Sequence, residues 1–136
     1  MDRPGRLRSL GFDDRRRALH LMRRGEIRWI SLDPVIGSKA NKRRPAVIVS
    51  HDGANSTAAR LRRGIITVVP VTSNIERVYP FQVRLPAAAT GLAQDSKAQA
   101  EQVRSVAVQR VGAVAGQVSV PTMLEIDEAL RIHLAL

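Results

Sequence analysis

Short apolar runs separated by polar and basic segments are the feature that most limits what this chain can fold into. Pro45–Ser50 (PAVIVS) and Gly64–Val71 (GIITVVPV) are rich in β-branched residues and short enough to predict buried strands. Pro80–Leu85 (PFQVRL) alternates apolar and polar residues, which is typical of a strand with one buried face. These three runs predict a mainly β protein.

The segments around these runs extend the same pattern. Glu26–Leu32 (EIRWISL) alternates imperfectly, and we expect it and two later segments, Ala98–Ala107 and Arg110–Val118, to form strands. Residues 51–63 are polar and predict a linker with room for a helical turn. Residues 35–44 (VIGSKANKRR) are basic and contain glycine, which predicts a loop. The sequence thus indicates five or six short strands.

Only the last segment, Pro121–Leu136, has a convincing helical pattern. Proline near its start and acidic residues in its first half suit the beginning of a helix. The apolar residues that recur at helical spacing, and that we expect on its packed face, are Met123, Ile126, Leu130 and Leu134. Short strands followed by one helix predict a small barrel closed by that helix.

Composition restricts the partner and the chemistry. The 136 residues suffice for one domain, at 22–136, preceded by a basic extension at 1–21 that we expect to be mobile. A net charge of +10 favours a polyanionic partner. The chain has no cysteine, which excludes disulfides and thiolate chemistry. It also has no apolar run of membrane-spanning length, so we expect a cytoplasmic protein.

A cluster of cations before the PAVIVS run is the first candidate for chemistry. Its members lie on the predicted loop together with Gly37 and Ser38, and they are Lys39, Lys42, Arg43 and Arg44. A loop dense in hydrogen-bond donors suits phosphate groups, although a solvated charge run is the usual explanation. Arg44 differs from the rest because the following proline restricts its backbone, and because a guanidinium can bind a phosphate through two parallel hydrogen bonds.

A second candidate follows the GIITVVPV strand. Thr72, Ser73 and Asn74 place two hydroxyls and an amide where a buried strand ends, which suits an anion. A simple polar turn is an equally good interpretation of these three residues. His51 also follows a strand, but a lone histidine there is more often structural than catalytic. No set of histidines and carboxylates has the spacing of a metal site.

Taken in order, these segments resemble the MazF/PemK family of toxin endoribonucleases. The resemblance covers nearly everything after residue 21, and no single motif decides it. The segments that carry it are MRRGEIRWISLDP (22–34), GSKANKRRPAVIVS (37–50), VVPVTSN (68–74), YPFQVRLP (79–86) and KAQAEQVRSV (97–106).

The resemblance implies a fold, an activity and partners. The fold is an SH3-like small barrel with a C-terminal helix, shared with gyrase-poisoning toxins such as CcdB and paired as a homodimer. The activity is sequence-specific cleavage of single-stranded RNA without metal or cofactor, leaving 2′,3′-cyclic phosphate and 5′-hydroxyl ends. The further partner is an acidic, MazE-like antitoxin of a type II toxin–antitoxin system.

The resemblance also implies which residues act. It makes Arg44 and Thr72 catalytic. The residues it places against RNA are Gly37, Ser38, Lys39, Lys42, Arg43, Ser73, Asn74, Glu101, Gln102 and Arg104. Lys39 departs from the pattern because several relatives have glutamate there, so a proton-transfer role for that carboxylate does not carry over to this chain.

Two other functions stay open from the sequence. The first is a gyrase poison of the CcdB type, which would act through the terminal helix and would not need both Arg44 and Thr72. The second is a non-catalytic nucleic-acid binder, which would bind RNA in a salt-dependent way and leave it intact.

Overall fold

The computed structural model describes residues 22–32 and 43–136. The predicted extension at 1–21 and the loop residues Gly37, Ser38, Lys39 and Lys42 lie outside these ranges. The strands are β1 Glu26–Ser31, β2 Arg43–Ile48, β3 Ile65–Thr72, β4 Gln82–Leu85, β5 Ser96–Gln99, β6 Arg104–Ala107 and β7 Val111–Gln117. The helices are α1 Asp52–Leu61, α2 Ala87–Thr90 and α3 Val120–Leu134, with 3₁₀ turns at Ala100–Gln102 and Val108–Arg110.

The strands form one antiparallel sheet in the order β4-β5-β3-β2-β1-β7, and β6 pairs with β3 beside β5. The prediction of a mainly β protein with a C-terminal helix is confirmed. One boundary is wrong, because the predicted strand Ala98–Ala107 is two strands. β5 pairs with the end of β3 and β6 with its beginning, and the 3₁₀ turn Ala100–Gln102 takes up the change in register between them.

Two other segments differ from their predictions. Arg43 and Arg44 open strand β2 instead of ending a loop, because they pair with β1 at Ser31 and Ile30. The polar segment after β2 forms a ten-residue helix rather than a linker. Helix α1 was hard to recognise because the residues it buries are Asn55, Ala58 and Ala59, which give no apolar stripe.

Each face of the sheet covers its own apolar core, because neighbouring residues of a strand point to opposite faces. On one face, Val47 and Val69 pack with residues of α3, and we call this cluster the α3 core. On the other, Ile48 and Val68 pack with alanines of α1, and we call this cluster the α1 core. Strands β2 and β3 are therefore buried on both sides, which fixes their register firmly.

Helix α3 closes the α3 core. The Ser119 side chain caps it by accepting a hydrogen bond from the Thr122 backbone N–H. Met123 and Ile126 are buried as predicted. Leu130 is half-buried, and the expectation that Leu134 would be packed is wrong, because the last turn of the helix is exposed. Within the described ranges, no helix is both long and apolar enough to cross a bilayer.

The different burial of two α3 residues predicts that substituting them will change the free energy of unfolding by different amounts. Ile126 is fully buried and Leu124 is 62% exposed. We expect Ile126→Ala to lower the free energy of unfolding by about 2–5 kcal/mol. The matched control Leu124→Ala should change it by less than about 0.5 kcal/mol. Urea denaturation followed by circular dichroism measures both, and equal losses would contradict this packing.

Candidate functional site

The pairing of β2 with β3 brings the two candidate segments together. Ala46 lies opposite Pro70, and because the two strands are antiparallel, Val47 lies opposite Val69 and Ile48 lies opposite Val68. The paired stretch ends at Ala46 and Pro70, and Arg44 and Thr72 lie two residues beyond this pair on their own strands, at the same end of the sheet. Because residues two apart on a strand project from the same face, Arg44 and Thr72 both continue the face of the Ala46–Pro70 pair.

Arg44 and Thr72 both line one cleft of about 280 Å³ at this end of the sheet. Arg44 is exposed and Thr72 is half-buried, so the Arg44 side chain is the more accessible of the two to a ligand. The other residues that line the cleft are Trp29, Arg43, Pro45, Val71, Ser73, Leu92, Ala93, Gln94, Ser96 and Ala115. Two arginines and three hydroxyl-bearing residues thus line a space of ligand size.

A local turn fixes the Thr72 hydroxyl. Its Oγ1 accepts a hydrogen bond from the Asn74 backbone N–H at 3.2 Å, and the Asn74 side chain accepts one from the Glu76 N–H at 3.3 Å. The interpretation of this segment as a polar turn is therefore right, and it is compatible with anion binding. Since Oγ1 accepts from the backbone, its own proton is available to donate into the cleft.

Gly112 makes room for Arg43. A methyl group on Gly112 would overlap the Nη1 atom of Arg43 and would lie 3.0 Å from the Trp29 carbonyl oxygen. Trp29 itself is 41% exposed. The absence of a side chain at Gly112 thus lets the Arg43 guanidinium lie against the backbone of β7.

The structure adds a cation that the sequence did not reveal. Lys97 pairs with Thr72 across β5 and β3, so Thr72 has a cationic residue on each neighbouring strand. Lys97 is only 7% exposed, and its Nζ donates to the Arg77 carbonyl oxygen at 2.6 Å. No sequence pattern indicates this, because the register of β5 on β3 depends on the 3₁₀ turn that follows β5.

Other predicted residues lie outside the cleft. Asn74 belongs to the turn after Thr72. Glu101 and Gln102 lie on the 3₁₀ turn, where Glu101 Oε2 accepts from the Gln82 amide at 2.7 Å. Arg104 is on β6 and donates to the Leu32 carbonyl oxygen at 3.2 Å. Their predicted contacts with RNA stay predictions.

His51 has a structural position. It caps helix α1, with Nδ1 accepting a hydrogen bond from the Ala54 N–H at 3.3 Å, and it does not line the cleft. In the part of the chain that the structure describes, no group of three or more histidines and carboxylates is arranged to hold a metal.

Comparison with known proteins identifies the family. Residues 23–134 match the family model described as PemK-like, MazF-like toxin of type II toxin–antitoxin systems. The chain belongs to this family. It is 60% identical over 116 residues to endoribonuclease MazF9 of Mycobacterium tuberculosis, an alignment that covers 85% of this chain and 98% of that protein. The resemblance to the MazF/PemK family is thereby confirmed.

Solved structures agree with the assigned fold. MazF from Deinococcus radiodurans superposes with a TM-score of 0.65 at 26% identity, covering 85% of this chain and 97% of that one. A MazE–MazF complex from the same organism gives the same TM-score, identity and coverage. The barrel-like fold predicted for this MazF-like toxin is consistent with both structures. Among the described residues, the end strands β4 and β7 do not pair with each other, so the sheet is not closed.

Proposed function

We propose that this toxin is an endoribonuclease that cuts single-stranded RNA using a nucleophile supplied by the substrate. The 2′-oxygen of the nucleotide before the cut forms a bond to the adjacent phosphorus, and the bond from phosphorus to the 5′-oxygen breaks. The 2′-hydroxyl loses its proton and the departing 5′-oxygen gains one. The products are a 2′,3′-cyclic phosphate and a 5′-hydroxyl, and the step consumes neither metal nor cofactor.

Arg44 stabilises the charge that builds up on phosphorus. As the 2′-oxygen attacks, negative charge accumulates on the non-bridging oxygens, and a guanidinium can bind two of them through parallel hydrogen bonds. Arg44 suits this task because its backbone is anchored by pairing with Ile30 and by the proline that follows. A guanidinium stays protonated, so Arg44 is assigned no role as a base.

Thr72 aligns the phosphate. Its hydroxyl, fixed by the Asn74 N–H, donates to a non-bridging oxygen and so sets the phosphorus in line between the attacking and departing oxygens. A donor held in place before the reaction needs no reorganisation during it, which makes it effective in the transition state.

One observation carries the proposal: Arg44 and Thr72, from separate strands, line the same cleft. No carboxylate or imidazole is among the described residues that line it. Such a lining suits a reaction in which the protein contributes positioning and positive charge. The gyrase-poison alternative gives no reason for this pair to meet, and MazF9, the 60% identical relative, is an endoribonuclease by name.

The proposal includes assembly and location. We propose that the toxin is a homodimer, that residues 22–136 form the catalytic domain and that it acts in the cytoplasm. The net charge of +10 suits both RNA and an acidic antitoxin, and the Deinococcus relative has been solved with MazE. An acidic antitoxin that covers the cleft would block RNA directly.

Three variants test the catalytic assignment. We expect Arg44→Ala to abolish cleavage and to reduce RNA binding far less, because the lost interaction is strongest in the transition state. Arg44→Lys should recover little, since an ammonium lacks the two parallel donors. Thr72→Val keeps the side-chain shape and should slow cleavage about 10²–10³-fold. Single-turnover cleavage of a labelled RNA measures all three.

The control is Arg131→Ala, which removes an exposed arginine of helix α3 that does not line the cleft. It should cleave at the wild-type rate. Near-normal cleavage by Arg44→Ala would end the assignment of Arg44.

Light scattering tests the assembly. The purified protein should have twice the mass of one chain. A monomeric mass with full activity would remove the dimer from the proposal.

An RNA-protection assay tests the antitoxin. A MazE-like antitoxin should protect RNA in proportion to the toxin it binds, and binding without protection would show that the antitoxin does not cover the cleft.

A further inference from the structure

A row of paired residues crosses the sheet from Thr72 toward its β4 edge. Thr72 lies opposite Lys97 on β5, and Lys97 lies opposite Arg84 on β4. Because directly paired residues share a face, these side chains project from the same side of the sheet as Arg44. The row of paired residues therefore reads Thr72, Lys97, Arg84, and Arg44 lies on the next strand at the same end of the sheet. Neighbouring strands are about 4.8 Å apart, so Thr72 and Arg84 are separated by roughly 10 Å at the backbone.

Arg84 is available to bind an anion. Its side chain is 53% exposed, and its partner, Asp95 Oδ2, is 3.7 Å away and equally open to water. Ion pairs of this exposed kind contribute little stability, so a phosphate can replace the carboxylate. Asp95 does not depend on Arg84 for its position, because its Oδ1 accepts a hydrogen bond from the Ala87 N–H at 2.8 Å.

An aromatic ring is held beside the same row. The bond from Lys97 Nζ to the Arg77 carbonyl oxygen fixes the segment after β3 next to β5. Tyr79 in that segment stacks on Phe81, with ring centroids 5.3 Å apart and planes 2° apart, and remains 41% exposed. Lys97 Nζ and the Arg77 guanidinium carbon are each 5.9 Å from the centre of the Tyr79 ring.

Cations interleaved with an exposed aromatic ring match single-stranded nucleic acid, in which charged phosphates alternate with flat bases. An acidic peptide would satisfy the cations but gives no reason for the stacked tyrosine. The row also begins at Thr72, where the proposed reaction places the scissile phosphate. A strand that leaves the cleft across β3 therefore meets the exposed Tyr79 and Arg84, while the buried Lys97 holds the Tyr79 segment in place through the Arg77 carbonyl oxygen.

We propose that RNA leaving the cleft is bound along this row, with Arg84 on a phosphate beyond the scissile one and Tyr79 stacked against a base. This inference rests on the proposed function, since it uses the phosphate at Thr72 as its starting point. It makes Arg84 and Tyr79 binding residues and assigns one flank of the substrate to the β4 edge of the sheet.

The experiment uses the full chain and an RNA with several nucleotides on each side of its mapped cut. Arg84→Ala should weaken binding of an uncleavable 2′-O-methyl analogue of this RNA about tenfold, and it should raise KM for the cleavable RNA with little change in kcat. The slope of log affinity against log salt should fall by about 0.7, the value for one phosphate contact of a single strand. Arg131→Ala, which removes an equally exposed and loosely paired arginine, should leave both quantities unchanged.

Two further comparisons separate the row from general electrostatics. Removing the nucleotides on one side of the cut should erase the difference between wild type and Arg84→Ala, whereas removing the other side should preserve it. Tyr79→Leu should weaken binding about 5- to 100-fold, the range for base stacking, while Tyr79→Phe should bind like wild type. Circular dichroism confirms that each variant is folded.

The inference is overturned if Arg84→Ala binds like Arg131→Ala, if neither truncation matters, or if Arg84→Ala weakens antitoxin binding only. In each case cleavage by the wild type would leave the proposed function intact. A wild-type protein that cuts no RNA would instead overturn the proposed function, and this inference with it.

Discussion

The register between β2 and β3 is the constraint on which the site depends. Both strands are covered on each face by an apolar core, so a slip of one residue would turn every buried valine and isoleucine to the wrong side. The cost of that slip fixes Ala46 opposite Pro70, and this register places Arg44 and Thr72, each two residues beyond the pair, at the same end of the sheet. Packing far from the cleft thus sets the position of the two groups that we assign to the reaction.

The chemistry follows from what the strands bring to the cleft. Arg43 and Arg44 lie on one side of Thr72, and Lys97 pairs with it on the other. The two arginines that line the cleft attract a phosphate and stabilise further negative charge on it, which is what transfer of the phosphoryl group to a 2′-oxygen requires. Because the RNA supplies its own nucleophile, a protein needs only a fixed guanidinium and a fixed hydroxyl, and a small β fold can hold both.

Much of this arrangement could be predicted from the sequence, and the limits have physical reasons. The apolar runs of β2 and β3 were recognisable because strands buried on both faces read as continuous β-branched segments. Helix α1 was missed because its buried side chains are asparagine and alanine. The division of Ala98–Ala107 was missed because a change of register between two halves of a segment leaves no periodicity. The positions of Lys97 and Arg84 could not be predicted for the same reason, since only that register places Lys97 opposite Thr72 and Arg84 opposite Lys97.

The most direct test of the central claim removes one oxygen atom from the substrate. If the nucleophile is the 2′-hydroxyl before the cut, an RNA with a single 2′-deoxyribose at that position will bind to this toxin and remain intact, while the same substitution one nucleotide further along will be tolerated. Cleavage of the 2′-deoxy strand at the original site and rate would contradict the account, because the attacking oxygen would then have to come from water or from the protein.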